Sequence, residues 1–100
     1  MATGFEDWST HAFTSASEEE QEHAHVTAAE TTMTFSAEVK SFTLYNNGPN
    51  AAHYAYATGV DTDAFIIPAK AWIFRDVPCT TLYLICAAAE TATVYGAGFR

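Results

Sequence analysis

From Thr31 onward the chain alternates apolar and polar residues with a period of two, in short runs broken by Gly, Asn, Asp or Pro. That period puts successive side chains on opposite faces of a strand, which restricts this part of the chain to β-structure. Thr31–Ala37 places Met33, Phe35 and Ala37 on one face. Val39–Tyr45 sets Phe42 and Leu44 against Val39, Thr43 and Tyr45. Asn46-Asn47-Gly48-Pro49-Asn50 is the clearest turn, since Asn and Gly tolerate positive φ and Pro49 cannot donate to a ladder.

Ala52–Ala57 then puts Tyr54 and Tyr56 on one face, with His53 opposite. Ala64–Ile67 is a short strand ended by Pro68. Ala69–Arg75 alternates Ala71 and Ile73 with Trp72 and Phe74. Thr81–Ala87 sets Leu82, Leu84 and Cys86 against Tyr83 and Ile85, and Thr91–Tyr95 follows. Gly96-Ala97-Gly98 reads as a C-terminal turn or bulge. The fold expected is all-β, a small antiparallel β-sandwich or barrel of six to seven strands with an extended N-terminal arm.

Charge divides the chain in a different way. Residues 1–39 carry eight of the twelve acidic residues and no Lys or Arg, the first basic residue being Lys40. The expected organisation is therefore an acidic arm over 1–30 and a β-domain over 31–100. Within the arm, residues 18–25 can form a helical turn or two behind a Ser17 N-cap, because acidic side chains complement the positive end of a helix. No apolar stripe accompanies that turn. Phe5, Trp8 and Phe13 are unusual in a purely solvating tail and mark the arm as a docking element. Its expected interface residues are those three aromatics with Glu18, Glu19 and Glu20.

A domain of this size buries only about 60% of its unfolded surface, so oligomerisation or docking would add to its stability. Cys79 and Cys86 lie in one extended run, roughly 23 Å apart at ~3.3 Å per residue, too far for a bridge. A formal charge of −8 argues against nucleic acid as a partner. The start of the chain lacks the features of a signal peptide. The longest apolar run, Leu82 to Ala89, is far shorter than the roughly 20 residues of a membrane span.

Candidate chemistry is sparse. His23 and His25 beside Glu22 are zinc-ligand types that would share a face on a strand, but no third ligand has a fixed spacing. Asp61 and Asp63 fit an Asx turn better than a calcium loop. Ser41, His53, Asp76, Cys79 and Cys86 stand in no nucleophile motif. The chain is expected not to be an enzyme and to need no cofactor or metal. Tyr45, Tyr54, Tyr56, Trp72, Tyr83 and Tyr95 suit a core, a protein interface or a sugar-binding surface, in that order.

The run Val39-Lys40-Ser41-Phe42-Thr43-Leu44-Tyr45-Asn46-Asn47-Gly48-Pro49-Asn50-Ala51-Ala52-His53-Tyr54-Ala55-Tyr56, followed later by Thr81-Leu82-Tyr83-Leu84-Ile85-Cys86-Ala87, resembles small structural proteins of tailed bacteriophages. In these a strand leads into an Asn-Gly-rich turn, the next strand carries aromatics, and a late leucine-tyrosine-leucine strand precedes a short closing strand. The resemblance covers about residues 35–96 and is one of cadence; the acidic arm has no counterpart in it. It implies a virion component assembled in the host cytoplasm, foremost a capsid decoration (cement) protein and homo-oligomer, for example a trimer. Its partners would be the major capsid protein or other virion subunits, with no membrane involved. A tail, head-tail connector or spike-base protein, and a small carbohydrate-binding module, are the alternatives. Removal of residues 1–30 is expected to leave a folded β-domain that no longer joins its assembly.

Overall fold

A computed structural model, which describes residues 19–100, turns the alternation into burial. Its strands are β1 (Glu19–Val26), β2 (Thr31–Val39), β3 (Ser41–Pro49), β4 (Ala52–Ala55), β5 (Phe65–Ile67), β6 (Trp72–Arg75), β7 (Cys79–Ile85) and β8 (Ala92–Phe99). They form two four-stranded antiparallel sheets, ordered β1-β8-β3-β6 and β2-β7-β4-β5. The pairings β1·β8, β2·β7, β3·β6 and β4·β5 are nested, as in one long hairpin. Rolling that hairpin over puts alternate pairs in opposite sheets, and β3·β8 and β4·β7 then join them. This winding is the jelly roll, in which two sheets share one core.

The core lies between the sheets. Met33, Phe35, Phe42, Leu44, Leu82, Leu84 and Cys86 are buried, as the alternation predicts, and Tyr54, Ile67 and Val94 join them. Burying each large side chain contributes roughly 1.5–3 kcal/mol before chain entropy is counted. Val39 was expected to face away from Phe42, yet it is fully buried. Val39 ends β2, on the same face as Met33 and Phe35, and does not belong to the strand of Phe42; the register of β2 against β7 shifts between Thr34 and Val39, where Ala37 is exposed. Tyr56 lies beyond the end of β4 and is partly exposed, while Tyr54 is wholly interior.

The segment that charge assigned to the arm behaves differently from the helical turn expected of it. Residues 19–26 form β1, paired along its whole length with β8 and packed on β2. Ala24 and Val26 enter the core, and His23 and His25 point outward. The described residues therefore form eight strands, where six or seven were expected. Deleting residues 1–30 would strip an edge strand and two core side chains, so a loss of stability is expected from it. Phe5, Trp8, Phe13 and Glu18 lie outside the described residues.

Two further expectations change. Gly96 and Gly98 are not in a turn; they sit inside β8. A Cβ on Gly96 would meet the Met33 sulfur at 2.6 Å, and one on Gly98 would meet Val39 at 2.6 Å and Phe35 at 2.9 Å. The opposite sheet crowds β8 there, so a side chain at either position would force its neighbours to shift. The Asn-Gly-Pro turn is likewise partly strand, because β3 shifts register after Asn46 and Pro49 again faces Ala92. Asn46 organises this bend from full burial. Its side-chain amide donates to the Asn50 and Ile67 carbonyls at 2.8 Å each, and its oxygen accepts from the Gly48 amide at 2.7 Å. A buried amide with all these partners costs little and ties the two sheets together.

Candidate interaction surfaces

The period of two that buries one face of each strand leaves the other to solvent. On the outer face of the first sheet that remainder is aromatic. Cross-strand pairing lines up His23, Tyr95, Tyr45 and Trp72 in one row running from β1 to β6. Tyr45 and Trp72 pack with ring centroids 4.7 Å apart, and His23 and Tyr95 at 6.2 Å. The next row has Gln21, Ala97, Thr43 and Phe74 in register. Small side chains at Ala97 and Thr43, between the large row and Phe99, leave a shallow groove of about 360 Å³. Trp72, Tyr95 and Phe99 wall it, and Glu19 and Gln21 form its rim on β1. The Gln21 amide donates to the Glu19 carboxylate at 3.1 Å.

A second surface lies along the edge strands β5 and β6. Trp72 is 70% exposed, Phe74 56%, Phe65 53% and Ile66 52%. With Tyr56 they make up five of the six large exposed apolar side chains among the described residues, the sixth being Tyr95 in mid-sheet. Phe65 stacks on Tyr54 at 5.3 Å and meets Tyr56 at 6.1 Å. Burial and then the adjacent Tyr54 push the Tyr56 hydroxyl up to about 12, so that phenol is neutral at any ordinary pH. Tyr54 carries its hydroxyl into the core with no hydrogen-bond partner among the described residues.

The opposite side, where β1 and β2 are the edges, is polar and tied by hydrogen bonds. Glu20 turns toward β2 and accepts from the Ser36 amide at 2.9 Å and the Ser36 hydroxyl at 2.8 Å. Arg100 forms an ion pair with Glu20 and donates to the Ser36 hydroxyl at 3.0 Å. The Ser36 hydroxyl foremost, with Glu22, the Ser36 amide and Arg100 adding to it, lowers the Glu20 carboxyl to about 2. The same neighbour, Glu20, raises Glu22 above the ordinary carboxylate range. Glu30 closes one end of the sandwich. It accepts from the Gly59 amide at 2.7 Å, the Thr58 hydroxyl at 2.8 Å and the Val60 amide at 3.2 Å, and these bonds, the Gly59 amide first, lower its carboxyl.

The residues singled out for chemistry are scattered. Glu19 is exposed at the groove rim and Glu20 belongs to the polar tie. Asp61 accepts from the Asp63 amide at 2.9 Å, the Asx turn expected. His53 is half-buried, with its Nδ1 3.4 Å from the Ala64 carbonyl. Cys79 opens β7 and Cys86 follows its end; both are free thiols whose titration burial pushes up. Among the described residues no three His, Cys, Asp or Glu side chains gather as a metal site requires, and no helix is long and apolar enough to cross a membrane. Sequence reasoning had weighed Tyr45, Trp72 and Tyr95 mainly as core. The polar or small residues Gln21, Thr43 and Ala97 in register beside them would have marked an outer face, had the strand pairing been known. No family model matches the chain, and no curated protein or solved structure is detectably similar to it.

Proposed function

We propose that the chain is a structural virion protein of a bacteriophage, a decoration (cement) protein that binds and stabilises the capsid shell through contacts with the major capsid protein and with copies of itself. The observation that carries this reading is the apolar edge of β5 and β6. Edge strands present unpaired backbone groups, and proteins that remain alone guard them with charge, proline or a covering element. Here Phe65, Ile66, Trp72 and Phe74 stand exposed instead. Aromatic side chains of this kind supply the anchors of protein interfaces. A formal charge of −8 steers the protein toward a basic surface and away from nucleic acid.

The cadence of residues 35–96 agrees with small phage structural proteins. The jelly roll is compatible, although this architecture serves viral capsid and lectin domains alike and does not choose between them. The test is to purify particles made with the wild-type chain and with Phe65→Ser/Ile66→Ser, and to quantify the protein in each by mass spectrometry. Incorporation at shell-scale copy number, lost in the variant while the free variant stays folded, is expected. A few copies per particle would move the protein to the tail or connector. Absence of the wild type from particles would overturn the reading.

A further inference from the structure

We infer that the groove on the outer face of the first sheet is a binding site for the pyranose rings of a neutral glycan. The inference goes beyond attachment to a shell and uses a surface centred on β8 and β3, which shares Trp72 with the β5–β6 edge but not Phe65 or Ile66. Three features of the groove carry it. Its walls are aromatic, and Trp72 is 70% and Tyr95 48% exposed, with Trp72 held against Tyr45. Its floor, Thr43 and Ala97, is low enough for a ring to lie in, and its volume of about 360 Å³ falls at the small end of the range for ligand sites, roughly 300–1,000 Å³. Its rim carries the Glu19 carboxylate and the Gln21 amide.

A pyranose matches each of these. One face of the ring is a patch of C–H bonds that stacks on an aromatic side chain, and its hydroxyls donate to carboxylate and amide oxygens at the ring's edge. Glu19 and Gln21 bond to each other through one oxygen and one N–H, which leaves the second Glu19 oxygen and the Gln21 carbonyl oxygen for the ligand. Charge then narrows the class. The groove carries Glu19 on its rim and no Lys or Arg in its lining, in a chain of net charge −8. Uronic acids, sialic acids, phosphosugars and nucleotides are repelled, so a neutral sugar is the ligand that fits. A purely apolar peptide would desolvate the second Glu19 oxygen without giving it a donor, at a cost.

The site is open on one side, so affinity is expected in the millimolar range. The experiment is a titration of the full chain, followed by tryptophan fluorescence and by amide chemical shifts, with cellohexaose, chitohexaose, maltohexaose and mannohexaose. Polygalacturonate oligomers serve as the acidic control. At least one neutral oligosaccharide should saturate, with shifts confined to residues around Tyr95 and Ala97. Tyr95→Thr, which keeps a strand former while removing the stacking ring, should weaken binding about tenfold. Gln21→Ala should weaken it as well, with unchanged circular dichroism. Phe65→Ser/Ile66→Ser, on the other surface, should leave it unaltered, and this separates failure of the sugar site from failure of the capsid reading. Lack of saturation by all four neutral probes, equal or tighter binding of the acidic control, or full binding by Tyr95→Thr would each overturn the proposal. So would a preference for an aromatic peptide over every sugar.

Discussion

The two long sides of the sandwich solve the same problem in opposite ways. Both are open sheet edges, β1 and β2 on one side and β5 and β6 on the other. On the β1–β2 side the side chains near the gap are Glu20, Ser36 and Arg100, and they bond across it from one sheet to the other. On the β5–β6 side the side chains are Phe65, Ile66, Trp72 and Phe74, and they remain in solvent. A polar edge with its partners inside the molecule has no use for another chain. An apolar edge without partners is stabilised by one. The difference teaches where this protein ends and where its surroundings begin.

That contrast predicts unequal responses to the same substitution. Phe35→Ala empties a fully buried site on β2 and should cost about 3–5 kcal/mol in urea denaturation. Phe65→Ala, on the exposed β5 edge, loses little more than its stacking on Tyr54, about 0.5–1.5 kcal/mol. It should instead reduce self-association in sedimentation velocity. Equal costs would mean that the two edges are equally part of the core.

A second way to sharpen the comparison is Gly98→Ala, in β8 against β2. The new methyl would meet Val39 and Phe35, so a loss of about 1–3 kcal/mol is expected. No measurable loss would show that the sheets can move apart on the polar side.

The smallest effect is expected from acid. The folded Glu20 carboxyl at about 2 lies below its ordinary 4.5, so its contribution is full above about 4.5 and is lost as pH falls toward 2. Glu30, also lowered, behaves in the same direction. Glu22 is raised and works in reverse: its charge opposes folding increasingly as pH rises through the ordinary carboxylate range. Ser36→Ala removes the largest support of the Glu20 carboxylate. The acid limb of the Tm-against-pH curve should then begin at higher pH, and Glu20→Gln should flatten that limb. A limb identical in wild type and both variants would remove the polar tie from the account of the β1–β2 side. No such change is expected from substitutions of Phe65, Ile66, Trp72 or Phe74 on the apolar side, none of which titrates.

Legibility followed the strength of the local signal. Strands β2, β3, β7 and the start of β8 could be read because each carries several large apolar residues at alternate positions. β1 was hidden because its inward positions are Glu20, Glu22, Ala24 and Val26, of which only the last two are apolar. Its polar half is held by pairing with β8 and by Ser36 and Arg100, remote in sequence, which bond to Glu20. The alternation of His23, Ala24, His25 and Val26 was the one local sign. Gly96 and Gly98 were misleading for a related reason, since their meaning depends on Met33, Phe35 and Val39 in the opposite sheet. The groove was legible only as a list of aromatics without an address.

By itself, then, the sequence determined that the chain from Thr31 is β-structure, which faces of its central strands are buried, and that its charge disfavours anionic partners. Alternation and formal charge are local properties and survive without a fold. The tertiary structure alone decided the nested pairing, the recruitment of residues 19–26 into the first sheet, and the gathering of Tyr95, Tyr45 and Trp72 into one row. Register between strands distant in sequence is set by how the two inner faces fill a common core, and no window along the chain contains that information.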